Sequence, residues 1–180
     1  MPSKSEPKKW TAAEIKDQIQ RIQKVIEQQK RLVKKGESFT AVTPEDIERK
    51  LKRTASPMIT SQCWSGSRAP GETFIYDVGI YNPDPTQAAL LFAHVWVGSG
   101  NIDPVVGTFL LNVDTRFPRL TQPAFPGLML AAGASTALSF ALKMPPVEKT
   151  HYLGNCCLMQ FNWHDVGMYL DRSVFVFTVE

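Results

Sequence analysis

The sequence predicts a mainly β protein, an antiparallel β-sandwich preceded by an N-terminal α-helical segment. Three observations predict it. Apolar residues recur in steps of three and four through Ile15, Ile19, Ile22 and Ile26, then in steps of two from Met58 onward. Turn-forming clusters interrupt the second part at short intervals. Lys and Arg crowd into residues 1–53, as at Lys8-Lys9, Lys30-Arg31 and Lys34-Lys35, while the remainder is poorer in charge. The chain has 180 residues and a formal net charge of +3, which suits one ordinary domain plus an extension and does not by itself argue for nucleic acid.

Residues 1–9 read as a polar, basic, disordered tail without the apolar run of a secretory signal. A helical segment is expected over residues 10–56. Thr11 followed by Glu14 has the form of a capping box and opens a helix over about residues 11–35, with Gly36 as its stop. Ile15, Ile19, Ile22, Ile26 and Val33 form a heptad seam, with Gln29 in the gap. Isoleucine at both seam positions favours three or four strands over two in a coiled coil. Two readings stay open: the seam joins copies into a homo-oligomer, a trimer for example, or it packs within one chain. Thr43, Pro44, Glu45 and Asp46 signal a second helix over about residues 44–53, with N-cap, first-turn proline and acids at the positive end of the dipole. Ile47 and Leu51 give it one face to dock on the first helix. Thr54 to Pro57 reads as the hinge.

The sandwich is expected over residues 57–180. Phe74, Tyr76, Val78 and Ile80 share one face of a strand, and so do Thr136, Leu138, Phe140 and Leu142. Phe109, Leu111 and Val113 alternate in another segment. Further strands are expected at residues 59–65, 88–97, 152–163 and 173–179, separated by clusters such as Asn82-Pro83-Asp84-Pro85 and Pro145-Pro146. The segment 88–97 is apolar on both faces, with Phe92, His94 and Trp96 opposite Leu91, Ala93 and Val95. A strand with one wet face does not look like this. Its second face needs a cover: the helices, the proline-rich stretch 117–127, or another subunit. Phe92, His94 and Trp96 are therefore the candidate interface.

The strand ending at Asn82-Pro83-Asp84, and Leu130 to Ser135 with Gly133 leading into Leu138-Ser139-Phe140, resemble two motifs of CARDB-type domains of bacteria and archaea. The first is similar to their strand-and-turn motif, with Asp84 where the family has glycine. The second is similar to their entry into a central strand. The resemblance covers residues 66–179. It implies an immunoglobulin-like sandwich that binds or spaces, with no catalytic residues to carry over. Cys156-Cys157 and the proline-rich stretch 116–126 depart from it.

Candidate chemistry is sparse. Cys63, Cys156 and Cys157 are an odd set and read as reduced, buried thiols, a bridge from Cys63 to Cys156 or Cys157 being the alternative. His94, His151 and His164 lack the short spacings of a metal site. Asp84, Asp103 and Asp165 are the carboxylates that loop tips could offer to Ca²⁺, but no ligand-loop pattern joins them. The reading is thus no catalytic residue, no metal and no cofactor. The expected function is a non-enzymatic structural or recognition module: the helices tether or oligomerise, and the sandwich presents a surface to a protein partner or to copies of itself. No nucleic-acid partner is expected, because acids dilute the basic helices and aromatic stacking residues are scarce there. No apolar run reaches the length of about 18 residues that a membrane helix needs. The expected location is cytoplasmic or within an assembled particle. One alternative is a carbohydrate- or ligand-binding sandwich using Trp64, Trp96 or Trp163 as a platform. Another is an enzyme whose Cys156 or Cys157 meets a distant histidine such as His164.

Overall fold

Both expected N-caps form, each as a capping box. In a computed structural model, which describes residues 8–65, 67–69, 72–98, 128–143, 149–162 and 165–179, Thr11 Oγ1 accepts the Glu14 N–H at 3.2 Å and the Glu14 carboxylate accepts the Thr11 N–H at 2.8 Å. They open α1, Ala12–Lys30. Thr43 and Asp46 do the same for α2, Pro44–Arg53. The first helix ends earlier than its pattern suggested. The Leu32 and Val33 N–H groups turn back to the Gln29 and Lys30 carbonyls, and Gly36 adopts φ 89° in the following turn. The cause is a strand absent from the sequence reading: β1, Glu37–Ala41, which pairs antiparallel with β2, Met58–Ser65. The expected helical segment 10–56 therefore contains one strand of the first sheet.

That sheet also contains β4, Thr73–Tyr81, and β7, Ser135–Lys143, in the order β1-β2-β4-β7, antiparallel throughout. The second sheet is built from β3, Ser67–Arg68; β5, Ala89–Gly98; β6, Leu128–Leu130; β8, Lys149–Asn162; and β9, Asp165–Val179. Its order is β3-β9-β8-β5-β6, antiparallel except for the short β3–β9 pairing. The sheets share one core. Tyr76, Val78, Ile80, Leu138 and Phe140 from the first meet Leu91, Val95, Cys156, Leu158 and Phe175 from the second. The Tyr76 ring stacks on Phe175 at 4.3 Å between centroids. These are the inward faces that the period-two pattern assigned to β4 and β7. The alternating segment at Phe109–Val113 and the proline-rich stretch after it lie outside the described residues.

The two helices cover the other face of the first sheet. Ile15, Ile22, Ile47, Leu51, Met58 and Tyr81 form a second apolar cluster, with Ile19, Ile26 and Val42 packed against it. Gln29, the polar gap in the seam, meets Ser61, to whose hydroxyl it is hydrogen-bonded, and lies over Gly79, where a Cβ would strike its amide. Of the covers considered for strand 88–97, the helices are the one the fold removes: β5 belongs to the second sheet. The reason is chain connection. The hinge after α2 feeds directly into β2, so both helices fold back onto the sheet that β2 and β4 build.

Two close approaches give a test. A Cβ at Gly154 would enter the Phe175 ring, which the Tyr76 stack holds in place. Gly154→Ala should therefore cost about 1–3 kcal/mol, the range for overpacking a core. Leu51→Ala, which empties the helix–sheet cluster, should cost about 2–5 kcal/mol. Urea denaturation of each variant against the parent reads both.

Candidate functional site

A cleft of about 600 Å³ opens where α2, β2 and β9 meet. Its central feature is an ion pair between residues 121 positions apart: Lys50 Nζ donates to Asp171 Oδ2 at 2.5 Å. The same carboxylate oxygen accepts the Ile59 N–H at 2.8 Å, and Asp171 Oδ1 accepts the Arg172 N–H at 2.9 Å. Lys50 also reaches the Ile59 carbonyl at 3.4 Å. Two side chains, Lys50 and Asp171, and the Ile59 main chain thus tie α2, β2 and β9 together. The other lining carboxylate, Asp46, is held below its ordinary range by the Thr43 backbone N–H, then by the Thr43 hydroxyl and Arg49. A register shift between Ile59 and Ser61 lies in the lining, and the buried Thr60 hydroxyl has no hydrogen-bond partner among the described residues.

Beside the cleft, side chains rather than a strand finish the edge of β9. β3 pairs with β9 only at Thr178 and Val179. Upstream, Gln62 Nε2 donates to the Val174 carbonyl at 2.8 Å and Trp64 Nε1 donates to the Val176 carbonyl at 2.9 Å. Tyr76 in turn donates to Gln62 Oε1 at 2.8 Å. Trp64 is therefore a core residue, tilted against Phe175 at 5.5 Å, and is removed as a stacking platform. Trp163 lies outside the described residues.

On the outer face of the second sheet, Val174 and Val176 are 44% and 47% exposed, and Arg172 bonds Asn155 Oδ1 through Nε and Nη2 at 3.0 and 2.6 Å. The register aligns the candidate-interface strand with this face: Trp96 pairs with Asn155, His94 with Cys157 and Phe92 with Met159, while Asn155 pairs onward with Val174. The side chains of Phe92, His94 and Trp96 lie outside the described residues. The seam residues take another position. Ile15 and Ile22 are buried, Ile19 and Ile26 half-buried, and all four pack in the helix–sheet cluster; Val33 lines a small cavity with Phe39 and Cys63.

The two motifs behind the family resemblance meet in space. Buried Asn82 donates to the carbonyls of Gln87, Leu130 and Ala131, its own N–H reaches the Ala134 carbonyl, and the Gly133 N–H reaches the Asp84 carbonyl. Gly133 does so at φ 67°, a conformation suited to glycine. Burial raises the Asp84 pKa, but the N–H groups of Thr86 and Gln87 outweigh it and hold the carboxyl below its usual value. Asp84 is thus spent inside its own turn. Among the described residues no group of three His, Cys, Asp or Glu side chains could hold a metal ion.

The three thiols are buried and none is bridged to another, and Cys63 Sγ donates to Glu37 Oε2 at 3.4 Å. Burial pushes Cys156 up to about 12 despite its hydrogen bond with Tyr76, and burial also raises Cys157 against the pull of Arg172. Neither sits in the electropositive, accessible setting that makes a nucleophilic thiolate. His164 lies outside the described residues.

No family model and no curated protein sequence matches this chain. The chain is similar to a CARDB domain. That solved structure, from Pyrococcus furiosus and in complex with di-metal ions, aligns at 12% identity and TM-score 0.41 over 69% of this chain and 90% of that one. The sporulation control protein Spo0M of Bacillus subtilis aligns at 11% identity and TM-score 0.40, over 69% of this chain and 49% of that one. A glycoside hydrolase from Clostridium perfringens aligns at 13% identity and TM-score 0.42, over 80% of this chain and 27% of that one. Among the described residues no helix is long and apolar enough to cross a membrane.

Lys50 and Asp171 should couple. A double-mutant cycle with Lys50→Ala and Asp171→Ala should return about 0.5–3 kcal/mol of interaction energy by thermal or chemical unfolding. Cys156 sets a second expectation. Its pKa is raised on folding, so the unfolded chain releases that proton first. The stabilising contribution is complete below the free-thiol value of 9.0 and is lost as pH rises toward about 12. Alkylation at pH 8 should leave Cys156 unlabelled in the folded chain and labelled in urea, read by peptide mass.

Proposed function

We propose that this chain is a non-enzymatic recognition and assembly module. In this reading an immunoglobulin-like sandwich presents the outer face of its second sheet to another copy of the chain, as a subunit of a larger particle would. The observation that carries the reading is the pair Val174 and Val176, close to half exposed on one face of β9 and aligned through Asn155 with Trp96. Neighbouring exposed β-branched residues on a sheet face are the kind of surface that association covers. The sequence offered two places for self-association. The outer face is preferred to the seam of Ile15, Ile19, Ile22, Ile26 and Val33, because α1 already spends most of that seam on α2, Met58 and Tyr81. The helical segment then acts as a brace on the first sheet, and the coiled coil is not needed for assembly. Protonated, buried thiols and a carboxylate spent in its own turn favour binding over catalysis.

Sedimentation velocity at micromolar concentration tests this. The parent chain should sediment as an oligomer, and Val174→Asp with Val176→Asp should shift it to monomer with an unchanged far-UV spectrum. A parent chain that is monomeric throughout the range would sink the reading.

A further inference from the structure

We propose that the cleft between α2, β2 and β9 is a binding site for a small, multiply charged oxyanion, one that carries phosphate or carboxylate groups. The argument starts from charge accounting inside the lining. Three cations of α2, Arg49, Lys50 and Arg53, face two carboxylates, Asp46 and Asp171. Both carboxylates are already engaged. Asp171 is filled by Lys50 and the N–H groups of Ile59 and Arg172. Asp46 is filled by the Thr43 N–H and by Arg49 at 2.5 Å. One guanidinium group is left without a counter-charge: Arg53 makes no ion pair among the described residues. The Arg172 guanidinium turns instead to Asn155 on the outer face of the second sheet.

The remaining lining suits the same ligand. Arg49 and Arg53 stand one turn apart on α2, so their forks project from one side of the helix. Guanidinium forks match the paired oxygens of phosphate and carboxylate. Thr54 and Ser56, hydrogen-bonded to each other at 2.7 Å, add hydroxyl donors beside Arg53. The volume of about 600 Å³ falls within the range of small-molecule sites and is too small for a folded partner.

Isothermal titration of the full chain with pyrophosphate and, separately, with citrate tests the site and distinguishes the two oxyanion sources. Saturable binding of either at low salt is expected. The double variant Arg49→Gln with Arg53→Gln should weaken it by about tenfold or more, the loss expected for charge-assisted hydrogen bonds. Lys52→Gln removes a charge from the same helix outside the lining and should leave affinity within about twofold, as for an exposed rim charge. Melting temperature checks that each variant is folded. No saturable heat with either anion overturns the proposal, and so does an equal loss in Lys52→Gln, which would mean diffuse attraction to a basic helix.

Discussion

The first sheet is buried on both faces, and most of the molecule follows from that constraint. Every residue from Met58 to Trp64 on β2 is buried. Ile59 and Trp64 belong to the core shared with the second sheet, while Met58 belongs to the cluster under the helices. In a strand enclosed in this way an unpaired polar group costs about 1–3 kcal/mol. Two polar residues of β2 have assigned partners: Ser61 meets Gln29 beneath α1, and Gln62 bridges Tyr76 to the Val174 carbonyl. α1 must then lie where its single polar seam residue finds Ser61, and where Gly79 leaves room for it.

The same constraint closes the edge of the second sheet. β9 runs on past its partner β3, and an open strand edge invites pairing with other chains. Side chains from β2 occupy the outward carbonyls of Val174 and Val176 instead. Edge-to-edge addition at these positions is thereby blocked, and the exposed apolar surface of β9 lies on its face. The self-association proposed above would use that face and leave the cleft open beside it. The Lys50–Asp171 pair joins these regions, because one carboxylate ties α2, the start of β2 and the middle of β9. A part-buried pair of this kind contributes less through attraction than through the cost of breaking it, since removing one partner strands a charge.

Local signals in the sequence were read where local physics decides them. Both N-caps, the α2 boundaries, the alternation at Tyr76, Val78 and Ile80, and the turn at Asn82 all depend on residues within a few positions of each other. The opposite facing of Cys156 and Cys157 follows equally from the period of a strand. β1 was missed because Glu37–Ala41 is short and polar, and it becomes a strand only through pairing with β2. The candidate cleft was missed for a related reason. Its basic residues on α2 read as a solvated face, and nothing in the neighbourhood of Lys50 points to Asp171.

What the sequence determined by itself is the set of pieces: two capped helices with an apolar stripe, followed by strands with inward-facing rows. Periodicity and capping are properties of neighbouring residues, so they survive without knowledge of the fold. Only the tertiary structure decided which sheet the helices cover. An apolar stripe fits any apolar surface equally well, and the choice was made by the short hinge into β2, the β1 pairing and the meeting of Gln29 with Ser61 over Gly79. The helices therefore brace the first sheet, and the β5 strand that invited them lies in the other one.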